Sequence, residues 1–214
     1  MSRFPFRPGR GAIATLAAAI ALSLSGCGSS TQLVNLWKDP DLSPGSMHSF
    51  VVVAMRKDPG LRRLTEDAFV TEFQKHGAEA TASYTLFPDR PPAEDRLRER
   101  LEESHYDGIL FVRPAGSSTE THYVPGYSAV RPVYYRDPFW RTYGYSYQRI
   151  YRPGYIERDR VVRLDISLWS TGGDGQLVWT ATSRTLNPGS VADLGAEVSQ
   201  RVVPELEHAG VLPR

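Results

Sequence analysis

The sequence predicts a single α/β domain: a mixed sheet with three parallel strands linked by helices, then an antiparallel hairpin and a C-terminal helix. Three observations predict it. Two short runs, FVVVAM at 50–55 and ILFV at 109–112, are apolar throughout, as strands covered on both faces are. Between them helix-like and strand-like segments take turns, which implies parallel pairing by crossover. Beyond residue 160 apolar and polar residues alternate on either side of a Gly-rich turn, the pattern of a hairpin.

Residues 33–37 form a short predicted strand, closed by Asp39-Pro40 and Ser43-Pro44-Gly45. The run at 50–55 is the predicted central strand. Asp58 then suits a helix N-cap, and Pro59 suits the first helical position, where its missing N–H was an orphan anyway. Leu61, Leu64, Ala68, Phe69 and Phe73 recur at helical spacing up to a left-handed C-cap at Gly77, with Lys75 and His76 at the negative dipole end. Residues 79–84 read as the next strand and 88–92 as a loop. Ala93, Leu97 and Leu101 form a narrow apolar stripe on an otherwise charged helix. Tyr106-Asp107-Gly108 turns the chain into the strand at 109–112.

In 161–169, Val162, Leu164, Ile166 and Leu168 alternate with Val161, Arg163, Asp165 and Ser167, a half-exposed antiparallel strand. The Thr171–Gly175 glycines turn it back into 177–185. No helix follows them and no Gly-Lys-Ser/Thr is present, so they read as a hairpin turn and not a phosphate loop. Leu194, Val198, Val202 and Leu206 define a last helix over 191–209, with Pro204 placed to kink or split it.

The segment 121–156 fits none of this. It carries nine tyrosines, five arginines and one carboxylate, Asp137, and it is broken by Pro125, Pro132, Pro138 and Pro153. It is too aromatic for solvated disorder and too rich in proline for a central strand. Two readings stand side by side. In one, it is a hairpin or edge extension whose tyrosines cover the sheet. In the other, it is a binding surface, since Tyr and Arg are enriched at interface hot spots. The candidate residues are Tyr134, Tyr135, Trp140, Arg141, Tyr143, Tyr145, Tyr147, Arg149 and Tyr151. In an extended segment Tyr143, Tyr145 and Tyr147 share one face.

The N-terminus places the chain. Arg3, Arg7 and Arg10 precede an almost wholly apolar stretch at 12–24, and no acidic residue occurs before Cys27. That stretch matches the roughly 7–15 residues of a secretory h-region and falls short of the roughly 20 that span a bilayer. Leu24-Ser25-Gly26-Cys27 resembles the bacterial lipobox. The resemblance implies a signal peptide at 1–26, an acylated Cys27 as first mature residue, and a short tether at 27–31 ahead of the domain at 32–214. Gly28 after the cysteine implies sorting to the outer membrane, facing the periplasm. Cys27 is the one cysteine in the sequence, so acylation leaves no thiol for a disulfide, cluster or nucleophile. From Cys27 on, 22 basic residues face 24 acidic ones, a net charge of −2. That balance and the compartment oppose nucleic acid as a partner.

The order of several motifs carries a broader resemblance. Leu36-Trp37-Lys38-Asp39-Pro40, Val51-Val52-Val53-Ala54, Asp58-Pro59, Glu66-Asp67-Ala68, Ser83-Tyr84-Thr85-Leu86 and Leu177-Val178-Trp179 together resemble a group of Gram-negative envelope lipoproteins. Their shared domain has no assigned function, and it carries a Tyr/Pro-rich insert before its final hairpin. The resemblance implies location and architecture and supplies no catalytic residue. The residues themselves agree. His48, His76, His105, His122 and His208 are scattered without metal-ligand spacing, and no Gly-x-Ser-x-Gly elbow exists. The paired carboxylates Glu94-Asp95 and Glu102-Glu103 are adjacent on a helix and do not converge on one substrate. The expectation is a lipid-anchored, non-catalytic binding or accessory module without cofactor or metal. It meets the membrane through Cys27, and an envelope protein or peptidoglycan through the insert. The alternative is a cell-wall-active hydrolase or transferase with an unrecognised site.

Overall fold

The computed structural model describes residues 31–93, 96–97, 101, 104–136, 138–141, 143–172 and 175–213. The predicted signal peptide, Cys27 and residues 28–30 lie outside them. Along the chain come β1 (Thr31–Lys38), β2 (Ser49–Ala54), α1 (Pro59–Lys75), β3 (Glu79–Ala82), the short α2 (Ser83–Leu86), β4 (Gly108–Val124), β5 (Tyr127–Arg136), β6 (Tyr143–Arg152), β7 (Tyr155–Ser170), β8 (Leu177–Leu186) and α3 (Val191–His208). The chain is mixed α/β, as the sequence predicts. Six strands form one sheet in the order β1-β8-β7-β4-β2-β3, and β5 with β6 form a separate two-stranded ribbon. The segment from Thr31 on makes one compact unit.

The apolar run of β2 sits where expected, between β4 and β3 and parallel to both. Its alternate side chains supply two layers. Phe50 and Val52 enter the larger one, with Leu110, Ile166, Leu168 and Trp179 of the sheet, Phe69 and Phe73 of α1, and Val198, Val202 and Leu206 of α3. Phe50 and Phe73 stack at 4.7 Å between ring centroids. Val51 and Val53 point the other way and meet Leu97 and Leu101. That two-sided cover is why the run needs no polar face. It ends one residue early: Met55 is exposed, outside the strand.

The start of α1 follows from its sequence. Asp58 Oδ1 accepts a hydrogen bond from the Leu61 amide at 2.8 Å, and Pro59 opens the helix. At the far end Gly77 takes φ +74°, and its amide donates to the Gln74 carbonyl. The buried face differs from the one apolar spacing predicts. Leu64 is 47% exposed, whereas Arg62, Thr65, Glu66, Phe69, Glu72 and Phe73 are buried. Polar residues hold that face because they pair with each other. Glu66 Oε1 accepts from Arg62 Nε at 3.0 Å, Ser83 Oγ at 2.7 Å and the Ala54 amide at 3.0 Å. Its Oε2 accepts from the Tyr84 amide at 2.8 Å, and Arg62 also donates to Ser83 Oγ and the Phe87 carbonyl. The same network ends β3. The sequence predicts a strand over 79–84, but Ser83 turns into α2, where its hydroxyl and the next amide reach Glu66.

Three further differences bear on the insert and the termini. The strand expected at 109–112 runs on to Val124, paired antiparallel with β7 over its whole length except a bulge at 114–117, where Gly116 takes φ +100°. Thr31, expected in the tether, is the first residue of β1. It is buried, and its hydroxyl lies 2.7 Å from that of Thr185. Pro204 neither breaks nor splits α3, which is one helix capped by Ser190 Oγ accepting from the Asp193 amide.

Candidate functional site

The long β4–β7 hairpin does not end at the sheet. Val124 pairs with Tyr155, and after two intervening residues Tyr127 pairs with Arg152, so β5 and β6 continue the same two-stranded path. At the junction the sequence repeats itself: Pro125-Gly126-Tyr127 stands opposite Pro153-Gly154-Tyr155. Each proline withdraws a ladder donor, and the glycines let the two backbones touch. A Cβ on Gly126 would sit 2.5 Å from the Gly154 amide nitrogen and 2.6 Å from the Arg152 carbonyl oxygen. Beyond this joint, among the described residues, β5 and β6 contact each other and no other strand or helix.

The register sorts the candidate residues. Arg136 pairs with Tyr143, Tyr134 with Tyr145, Pro132 with Tyr147, Val130 with Arg149, and Ser128 with Tyr151. Directly opposed residues share a face. One face therefore gathers Tyr134, Tyr143, Tyr145, Tyr147, Arg149 and Tyr151, including the three tyrosines whose alternation predicts it. Tyr135 lies on the reverse face, its ring over Gly144. Trp140 and Arg141 stand at the turn, Arg141 with φ 51°. These six tyrosines are 53–80% exposed. They cover the ribbon and not the six-stranded sheet, which corrects the reading of the insert as cladding for that sheet. The insert is a hairpin, as that reading has it, but its aromatic residues face solvent on both sides.

Geometry within the face is uneven. The rings of Tyr134 and Tyr145 are 6.4 Å apart and tilted by 57°, and those of Tyr145 and Tyr147 are 5.7 Å apart and nearly perpendicular, at 84°. An arginine approaches a ring on each face, Arg136 over Tyr143 at 6.0 Å on this one and Arg152 over Tyr127 at 5.9 Å on the reverse. Residue-type reasoning passed over Arg136 and Phe139. Phe139 is 81% exposed beside Trp140 at 74%, their rings edge to face at 5.1 Å. The signal was present: two aromatic residues next to a proline, with arginine on either side.

Chemistry elsewhere is local. A groove between α1 and α3, lined by Leu64, Ala68, Ala192 and Ala196, also carries Asp67 and Glu72. Both are engaged: Asp67 accepts from the Tyr84 hydroxyl at 2.7 Å, and Glu72 pairs with Lys75 at 2.8 Å. The hydrogen bond to Asp67 raises the Tyr84 pKa above the usual phenol value, with burial and the Asp67 charge adding to it. On the β4–β7–β8 surface Glu120 accepts from Arg163 and Arg184, a cross-strand charge cluster of the kind that fixes register. Among the described residues no group of three or more His, Cys, Asp or Glu is placed to hold a metal ion. Nor is any of their helices long and apolar enough to cross a membrane.

No protein-family model and no curated protein matches this chain. Solved structures with a similar course do exist. A PelC dodecamer from Paraburkholderia phytofirmans is 13% identical, with a TM-score of 0.45 over 86% of this chain and 99% of that one. A single-residue variant of it is 14% identical, with a TM-score of 0.46 over 81% and 96%. A PDZ domain protein from Parabacteroides distasonis is 13% identical, with a TM-score of 0.38 over 93% of this chain and 39% of that one. Likenesses this distant assign no activity or partner to the chain.

Proposed function

We propose that the chain is a lipid-anchored envelope protein that works as a non-catalytic binding or accessory module. An acyl group on Cys27 holds it at the outer membrane, facing the periplasm, and the β5–β6 ribbon meets its partner, an envelope protein or peptidoglycan. The connection from β3 to β4 is read as a second helical crossover carrying Leu97 and Leu101, so that three parallel strands are linked by helices. One observation supports the binding role above all. The ribbon projects beyond a Pro-Gly joint, touches no other element among the described residues, and leaves tyrosines exposed on both faces. A two-stranded ribbon alone is marginally stable in water. An aromatic surface of this size, kept out of the core, is the mark of an interaction site.

The test is to replace Tyr143, Tyr145 and Tyr147 together by Ser. The isolated protein is melted, and crosslinked partners are recovered from intact cells. Because these side chains do not pack on the six-stranded sheet, stability should change by no more than about 0.5 kcal/mol per site, while partner recovery falls. A large drop in melting temperature with unchanged recovery would leave the ribbon a structural feature only.

A further inference from the structure

We infer that the tip of the β5–β6 ribbon docks end-on into an anionic membrane surface, Phe139 and Trp140 entering the interface and the flanking arginines meeting lipid headgroups. This rests on the reading of the ribbon as a binding module and puts a lipid surface, in place of a protein or peptidoglycan, at its tip.

Charge is the first argument. Residues 121–156 hold five arginines and one aspartate, a net charge of +4, while the remainder of the chain from Cys27 on has 17 basic against 23 acidic residues, a net charge of −6. The cations are thus concentrated on the projecting element of an otherwise acidic protein. An anionic surface attracts the ribbon and repels the body, which orients the molecule tip-first.

The order of residues along the ribbon is the second. Phe139 and Trp140 are the exposed aromatic pair of the turn. Arg136 and Arg141 flank them, and Tyr134, Tyr135, Tyr143 and Tyr145 follow behind. Apolar tip, cationic collar and tyrosine belt match in sequence the acyl boundary, the headgroups and the wet interface, where amphipathic rings gather. Ten residues per strand at about 3.3 Å each give the ribbon about 33 Å of reach.

The other occupants fit less well. Sugars stack on exposed, flat aromatic faces, but the Tyr134–Tyr145–Tyr147 row is tilted and edge-to-face. A fluid interface accepts rings in any orientation. Strand addition by a second copy needs an open, neutral edge. Here Pro132 sits mid-strand, Arg131 and Arg149 crowd the ribbon, and two ribbons of like charge repel.

The experiment uses the chain Thr31–Arg214, which holds every strand and both apolar layers, so that no acyl group contributes. It is sedimented with vesicles of phosphatidylglycerol and phosphatidylethanolamine, and separately with vesicles of phosphatidylcholine alone. Binding is expected to the anionic vesicles and to fall as salt is raised. Phe139→Ser with Trp140→Ser should weaken it by at least about tenfold, the loss of one buried aromatic side chain. Arg136→Gln with Arg141→Gln should weaken it about fivefold per charge. Phe139→Leu with Trp140→Phe should restore most of the binding, and all variants should melt like the parent. Anionic-vesicle binding that the tip variant leaves unchanged would overturn the inference, because the contact would lie elsewhere. Protein that stays in the supernatant with both vesicles would also overturn it. If the triple tyrosine variant still loses its crosslinked partner in cells, the binding-module reading stands with a protein or glycan as partner; if it does not, both fall. A mass that rises with protein concentration and is lost in the tip variant, without vesicle binding, would make a second copy the occupant and overturn the inference.

Discussion

Replacing Glu66 by Leu tests the account of why a charged residue holds the inner face of α1. Glu66 is fully buried and Arg62 is 2% exposed, with 3.0 Å between Oε1 and Nε. Removing the carboxylate strands a buried guanidinium, and breaking such a pair from one side costs about 3–5 kcal/mol. The amides of Ala54 and Tyr84 lose their acceptor as well, each worth about 1–3 kcal/mol when left unpaired. These costs overlap, so a loss of about 4 kcal/mol or more is expected. At about 2–4 °C per kcal/mol for a domain of this size, the melting temperature should fall by roughly 10 °C or more. Urea unfolding followed by circular dichroism measures it, the midpoint moving while the slope stays fixed. The double variant Arg62→Met, Glu66→Leu should cost less than Glu66→Leu alone, because no unpaired charge remains. A Glu66→Leu midpoint within about 1 kcal/mol of the parent, or a double variant as costly as the two singles summed, would refute the reasoning.

Val52→Asp places a carboxylate within the apolar cluster, in the middle of a strand covered on both faces, and should leave no cooperatively folded protein by near-ultraviolet circular dichroism. Pro204→Ala restores a helical donor in α3 and should stabilise the domain by about 1–3 kcal/mol in urea. Gly126→Ala forces a methyl group against the Gly154 backbone. It should speed amide exchange in β5 and β6 while the melting temperature of the sheet holds. Cys27→Ala should release the chain from membrane fractions of cells or leave the precursor unprocessed; the variant found in the outer membrane with its signal cleaved would end the lipoprotein reading.

The sequence by itself determined the elements whose pattern has a single physical solution. FVVVA had to be a strand covered twice, because nothing in it tolerates water. Asp58-Pro59 and Gly77 had to bound a helix, because cap chemistry is local. The alternation at 161–169 had to form a hairpin with 177–185. The composition of 121–156 marked the candidate surface, and its alternation put Tyr143, Tyr145 and Tyr147 on one face.

Tertiary structure decided what local pattern leaves open. Leu64 turned outward and Arg62 and Glu66 inward because a buried charge is stable once Ser83, Ala54, Tyr84 and Phe87 complete its bonds. Those partners come from 12 to 25 positions away, so no helical periodicity contains them. The same long-range bonds stopped β3 at Ala82. The fate of the tyrosines was likewise beyond local reading, since exposed and covered tyrosines look alike in a sequence. The doubled Pro-Gly joint decided it. Each dipeptide alone reads as a turn, and only the pairing of β4 with β7 sets the two side by side, so that the ladder breaks on both strands at one level and the ribbon leaves the sheet.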